Sequence, residues 1–186
     1  MSLNFYSEID SLQVTNKDEV VIKIKTSGSN LDKQIDELRT LKNDGAVRIM
    51  IESAIVHYTV QKDIETGEDV TTYEKDSNGV WQSKPNGQLA LNLGLDQVIN
   101  QDEDITADIV DKFLIQEKYE NESGFNVRQA LLKISDGFTF DDIAKDMKLK
   151  NTTELVKKLN EARMQYAPMA RVWFEESNKQ RKILTI

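Results

Sequence analysis

FTFDDIAKDMKLKNTTELVKKLNEARMQY, residues 138–166, decides how this chain is read. Thr139 and Asp142 stand in the Thr-x-x-Asp spacing of a helix start, and Phe138 and Ile143 occupy the two positions of a hydrophobic staple around it. The spacing then places Ile143, Ala144 and Met147 on one inward stripe, with Ala144 small enough to let a second helix cross closely. Leu149 fills the turn. Asn151 is placed to cap the next helix, with Glu154 at the third position beyond it. Leu155, Leu159, Ala162 and Tyr166 continue an apolar stripe at helical spacing. Two helices joined by a tight turn are the expectation.

The positions Ile143, Ala144, Met147, Leu149, Leu155 and Leu159 resemble the helix-turn-helix family, in particular its small phage-type versions. The resemblance covers residues 138–166 and no more. It departs at the turn position usually held by Gly, which is Lys148 here and needs a left-handed backbone. The resemblance implies that the helix starting at Asn151 is a recognition helix facing the major groove. Asn151, Thr152 and Thr153 would then read base edges, and Lys150, Lys157, Lys158 and Arg163 would meet phosphates. The competing expectation is a helical hairpin that only packs, since tri-helical units of this shape need no nucleic-acid role.

Upstream of this stretch the period is different. EVVIKIKT (19–26) alternates as a strand rich in β-branched residues. A short helix is expected around Phe5–Leu12, and LDKQIDELRTLKNDG (31–45) reads as a helix with Leu31, Ile35, Leu38 and Leu41 on one stripe. AVRIMIESAIVHYTVQK reads as a long strand whose apolar phase slips after Ser53–Ala54, from Val47, Ile49 and Ile51 to Val56, Tyr58 and Val60. A bulge or break is expected there. DIETGED is a hairpin loop, VTTYEK and VWQS pair around an Asn78-Gly79 turn of the type I′ kind, and LALNLGL is a final strand. From Ile105 the pattern is helical through ITADIVDKFLIQEKYE and FNVRQALLKIS, the latter stopped by Asp136-Gly137. Pro168 marks a kink or a fresh helix start, and RKILTI reads as a strand or frayed tail.

The expected fold class is therefore α+β. An acidic mixed domain with antiparallel strands and one helix spans 1–103, and a helical domain with the helix-turn-helix-like hairpin spans 104–186. The chain has 186 residues, enough to bury a core, and no cysteine, which excludes disulfides, thiolate catalysis and Cys-based metal sites. Residues 1–123 carry 12 Lys/Arg against 24 Asp/Glu, whereas 124–186 carry 12 against 8, so only the second part has the charge to hold nucleic acid. The opening residues show neither the basic start nor the apolar core of a signal peptide. No apolar run is long enough to span a bilayer. A soluble, cytoplasmic protein without membrane partners is expected, in the host cytoplasm if it is viral.

No enzyme site emerges. His57 is the only histidine and sits mid-strand, so no Ser-His-Asp set can be built. The acids Asp102, Glu103, Asp104, Asp108 and Asp111 lack the ligand spacing of a Ca²⁺ loop and read as a solvated helix start. There is no Gly-rich phosphate loop, and no cofactor is expected. Trp81 and Trp173 read as core residues, although an exposed Trp81 after its turn would be a protein-contact hot spot. Two function classes follow. One is a DNA-associated regulator, in the style of accessory proteins of bacterial viruses or mobile elements, docking on duplex DNA through 138–166 and forming a homodimer. The other is a non-enzymatic interaction, inhibitor or virion component whose acidic N-terminal half binds a protein partner.

Overall fold

The computed structural model describes residues 7–16, 19–26, 35–36, 39–40, 42–43, 51–86, 97–121 and 124–183. The chain divides into two units, Met1–Glu52 and Ser53–Ile186. The fold is α+β.

In the first unit, β1 (Ser7–Asn16) and β2 (Glu19–Thr26) pair antiparallel. The helix expected around Phe5–Leu12 is instead part of β1. Ile9, Leu12 and Val14 gain more from facing the β-branched residues of β2 than a short isolated helix can supply. Within the stretch read as a helix, Ile35, Asp36, Arg39, Thr40, Lys42 and Asn43 are helical. The strand expected over Ala46–Met50 lies outside the described residues, as does LALNLGL.

The second unit contains β3 (Ile55–Asp63), β4 (Thr71–Lys75), β5 (Val80–Pro85), β6 (Val98–Thr106), α1 (Ala107–Gln116), β7 (Lys118–Tyr119), α2 (Val127–Ser135), α3 (Phe140–Asp146) and α4 (Thr152–Ile183). β3 pairs antiparallel with β6, β4 with β5, and β7 adds parallel to β5. The phase slip after Ser53–Ala54 appears as the start of β3, where Ser53 Oγ accepts from the Ile55 N–H. Val56, Tyr58 and Val60 are then the buried face.

The sequence misled at β6. Its central residues, NQDED at 100–104, have low strand propensity, and the acids read as a solvated helix start. Cross-strand partners override that preference. His57 Nδ1 lies 2.6 Å from Asp104 Oδ1, Tyr58 Oη donates to Glu103 at 3.1 Å, and Thr59 Oγ1 donates to Asp102 at 2.9 Å. Only Asp108 and Asp111 of that acidic run are helical. The boundary expected between 103 and 104 thus falls inside a paired strand, and the division lies instead at Glu52/Ser53. The Asn78-Gly79 connection is also not type I′, because only Gly79 takes a positive φ, 75°. Asp76 Oδ1 organises that loop by accepting from the Asn78 and Val80 N–H groups.

α4 is the spine of the second unit. Leu155, Leu159, Ala162, Tyr166, Ala167 and Ala170 form its buried stripe, and it packs on α1, α2, α3, β3 and β4. It runs through Pro168 as one element to Ile183, so neither the fresh start nor a strand over Arg181–Ile183 forms. An interior Pro costs about 3 kcal/mol. The fully buried Ala167 and Ala170 on either side supply packing that offsets it. Against this spine, Phe113 meets Trp81 and Trp173 edge-on at 5.9 and 6.0 Å and stacks on Tyr119. Glu117, where α1 ends, accepts from Trp81 Nε1 at 3.2 Å and Trp173 Nε1 at 2.9 Å, and pairs with Lys75 at 2.7 Å. Burial pushes this carboxyl up, but the Lys75 ammonium and the two indole donors outweigh that and hold it below the usual carboxylate range.

Candidate nucleic-acid interface

α2, α3 and α4 form a tri-helical unit whose ends are made by side chains the sequence supplies. Asn126 accepts from the Gln129 N–H and opens α2, and Thr139 accepts from the Asp142 N–H and opens α3. Asn151 Oδ1 accepts from the Glu154 N–H at 2.9 Å, and Glu154 Oε2 accepts from the Lys150 N–H at 2.8 Å. Glu154 is therefore turned back onto the start of α4. Phe138 does not complete a buried staple. It stays 51% exposed, with Lys133 Nζ over its ring.

The turn between α3 and α4 is closed by a Schellman motif. The Leu149 N–H bonds to Ala144 O at 2.8 Å and the Lys148 N–H to Lys145 O at 3.0 Å. Lys148 carries φ 56°, the only positive φ at a non-glycine among the described residues. α2 ends in the same way, with the Phe138 N–H on Lys133 O, the Gly137 N–H on Ile134 O, and Gly137 at φ 82°. The left-handed position that the resemblance required is thus real, and it holds a lysine. Ala144 is buried at the crossing, and Met147 and Leu149 pack partly against the core.

The expected site residues fall into three groups. Thr153 and Lys157 are exposed and lie on the side of α4 opposite its buried Leu155–Leu159 stripe, together with Asn160 and Met164. Lys150 is exposed in the turn. Asn151 is exposed, but its side-chain oxygen is engaged in the cap, whereas bidentate reading of adenine needs both amide atoms. Thr152 and Lys158 are half-buried on the flanks, Lys158 with its ammonium 5.8 Å from the Phe125 ring centroid.

Two expectations are corrected. Arg163 is 7% exposed and grips Asp111 with two bonds of 2.8 Å, with a third to Asn160, so it belongs to the α1–α4 packing and cannot reach a phosphate. Its place in a run of lysines suggested a surface charge, but Arg163 follows Ala162 on the core side of the helix. Trp81 is 1% exposed and is a core residue rather than a contact hot spot. Lys145 and Lys148 were overlooked as site residues. Both are exposed beside the turn, and their sequence position alone would have nominated them.

The surface carries mixed charge. Lys145, Lys148, Lys150 and Lys157 stand with Asp141 and Asp142 in the first turn of α3, while Asp146 is paired with Lys133 and Lys157 lies 3.7 Å from Glu161. Among the described residues no cluster of His, Asp or Glu could hold a metal ion, and no helix is long and apolar enough to cross a membrane. No family model, curated protein or solved structure matches the chain.

Proposed function

We propose that this chain is a non-enzymatic DNA-associated regulator, of the kind carried by bacterial viruses or mobile elements, that docks on duplex DNA through α3, the turn and α4. The observation that carries the reading is the left-handed Lys148 between two side-chain-capped helices. In this reading the turn joins the two helices as a helix-turn-helix turn would, and the exposed Thr153 and Lys157 leave the outer face of α4 open to a ligand. Thr153 faces the major groove in this reading. Lys145, Lys148, Lys150 and Lys157 meet phosphates, and Arg163 takes no part. Four phosphate contacts give a log K against log salt slope of about −3.6, or on the order of a 100-fold loss of affinity between roughly 50 and 200 mM salt. Fluorescence anisotropy of a labelled mixed-sequence duplex measures this. Lys148→Glu/Lys157→Glu is expected to flatten the slope by about 2.

A second reading, an interaction or virion component, is favoured by Asp141 and Asp142, which oppose phosphate at the start of α3. Absence of duplex binding at the lower salt decides for it.

A further inference from the structure

The β1–β2 ribbon carries an apolar patch on one face, over residues 9–14 and 20–24. Ile9 stands opposite Ile24, Leu12 opposite Ile22, and Val14 opposite Val20. Plain alternation would put Ile9 on the other side from Leu12 and Val14. The register shift between Ile9 and Ser11 absorbs Asp10 as an extra residue and returns Ile9 to the common face. The opposite face carries Glu8, Ser11, Gln13, Lys23 and Lys25, with Val21 its one apolar residue opposite Gln13, so the ribbon is amphipathic.

The six side chains of this patch are 39–68% exposed. Among the described residues of Met1–Glu52 none is buried, and Ile35 is exposed as well. An isolated two-stranded ribbon is marginal in water, and a contiguous apolar face of this kind marks an interaction site.

We propose that this face docks on the same face of a second copy of the chain. Six half-exposed aliphatic side chains offer roughly 500 Å² per ribbon, about 1,000 Å² for a pair, at the lower edge of specific interfaces. None of these six side chains is charged or hydrogen-bonding, so the patch they form holds nothing that would select a foreign partner. It is therefore self-complementary about a two-fold axis, with aliphatic meeting aliphatic. The association is driven by apolar burial between chains that each carry a net charge of −8, so added salt strengthens it by screening their repulsion. This is the opposite of the salt response of DNA docking, and the two proposals can fail separately.

Sedimentation of the full chain at micromolar concentration tests the proposal, beside Leu12→Asp and the near-isosteric Val14→Thr/Val20→Thr. Threonine keeps strand propensity, so the second variant separates a lost interface from a lost ribbon. The wild type is expected to be a dimer that tightens with salt. Both variants are expected to weaken it at least tenfold while the helical circular dichroism of the second unit is unchanged. A monomeric wild type, or variants that dimerise as the wild type does, would overturn the proposal.

Discussion

Replacing Lys148 by glycine should make the protein more stable although it removes a charged side chain and every contact that side chain makes. Lys148 sits at φ 56° at the C′ position of α3. A residue with a Cβ pays about 1–2 kcal/mol for a left-handed conformation, whereas glycine adopts it without steric cost. Against this, glycine adds conformational freedom to the unfolded chain, worth about 0.4–1 kcal/mol. The net expectation is a gain of about 0.5–1 kcal/mol, or a rise in Tm of roughly 2–4 °C. The neighbouring helix provides the control. Gly137 occupies the same place in the same motif at φ 82°, and a Cβ built there meets nothing within 4 Å. Gly137→Ala therefore isolates the backbone term and should lower stability by about 1 kcal/mol. Differential scanning calorimetry on the two variants and the wild type reads both signs in one series. A Lys148→Gly variant less stable than the wild type, with Gly137→Ala neutral, would refute the reasoning.

Three further outcomes follow from the core. Arg163→Ala leaves the Asp111 carboxylate without the two-bond partner that grips it. Denaturant unfolding should show a loss of about 2–3 kcal/mol, below the 3–5 of a fully buried pair because Asp111 keeps some solvent. Glu117 has a folded-state pKa held below its unfolded value, so its contribution is fully present above the ordinary carboxylate range and is lost as pH falls through the lower folded value. Tm measured from pH 6 downward should fall less steeply in Glu117→Gln than in the wild type, from a lower starting point, with the difference between the two shrinking toward acid. Ala144→Leu forces added volume into the buried α3–α4 crossing and should cost about 1–3 kcal/mol, read as a lowered midpoint in urea at an unchanged m-value.

α2, α3 and the start of α4 were legible because they carry their own boundary signals, whereas α1, with no side-chain cap at Thr106, was read as 105–120 and runs only Ala107–Gln116. Thr139, Asn151 and the Asp136-Gly137 stop are local chemistry, and the stripes of Val110, Phe113 and Leu114 and of Leu155, Leu159, Ala162 and Tyr166 are local periods. β2 and β3 were legible for the same reason. β6 was not, because what makes it a strand is the facing strand: His57, Tyr58 and Thr59 supply partners for Asp104, Glu103 and Asp102. β1 was missed because its bulge breaks the alternation that would have announced it. Within the candidate site, lysines next to one another in sequence lie at different angles around α4. Periodicity sends Lys157 outward and Lys158 to the flank, and it takes the partner Asp111, far away in sequence, to draw Arg163 into the core.

The proposed docking of DNA on the outer surface of α3, the turn and α4 is tested most directly by an amide chemical-shift titration of the full chain with a short duplex at low salt. Shifts concentrated at Lys145, Lys148, Lys150, Thr153 and Lys157, with the resonances around Trp81 and along β3 unmoved, are the expected result. A duplex that moves no resonance in residues 145–157, or that moves a different surface, would contradict the claim and leave the helical hairpin a packing element alone.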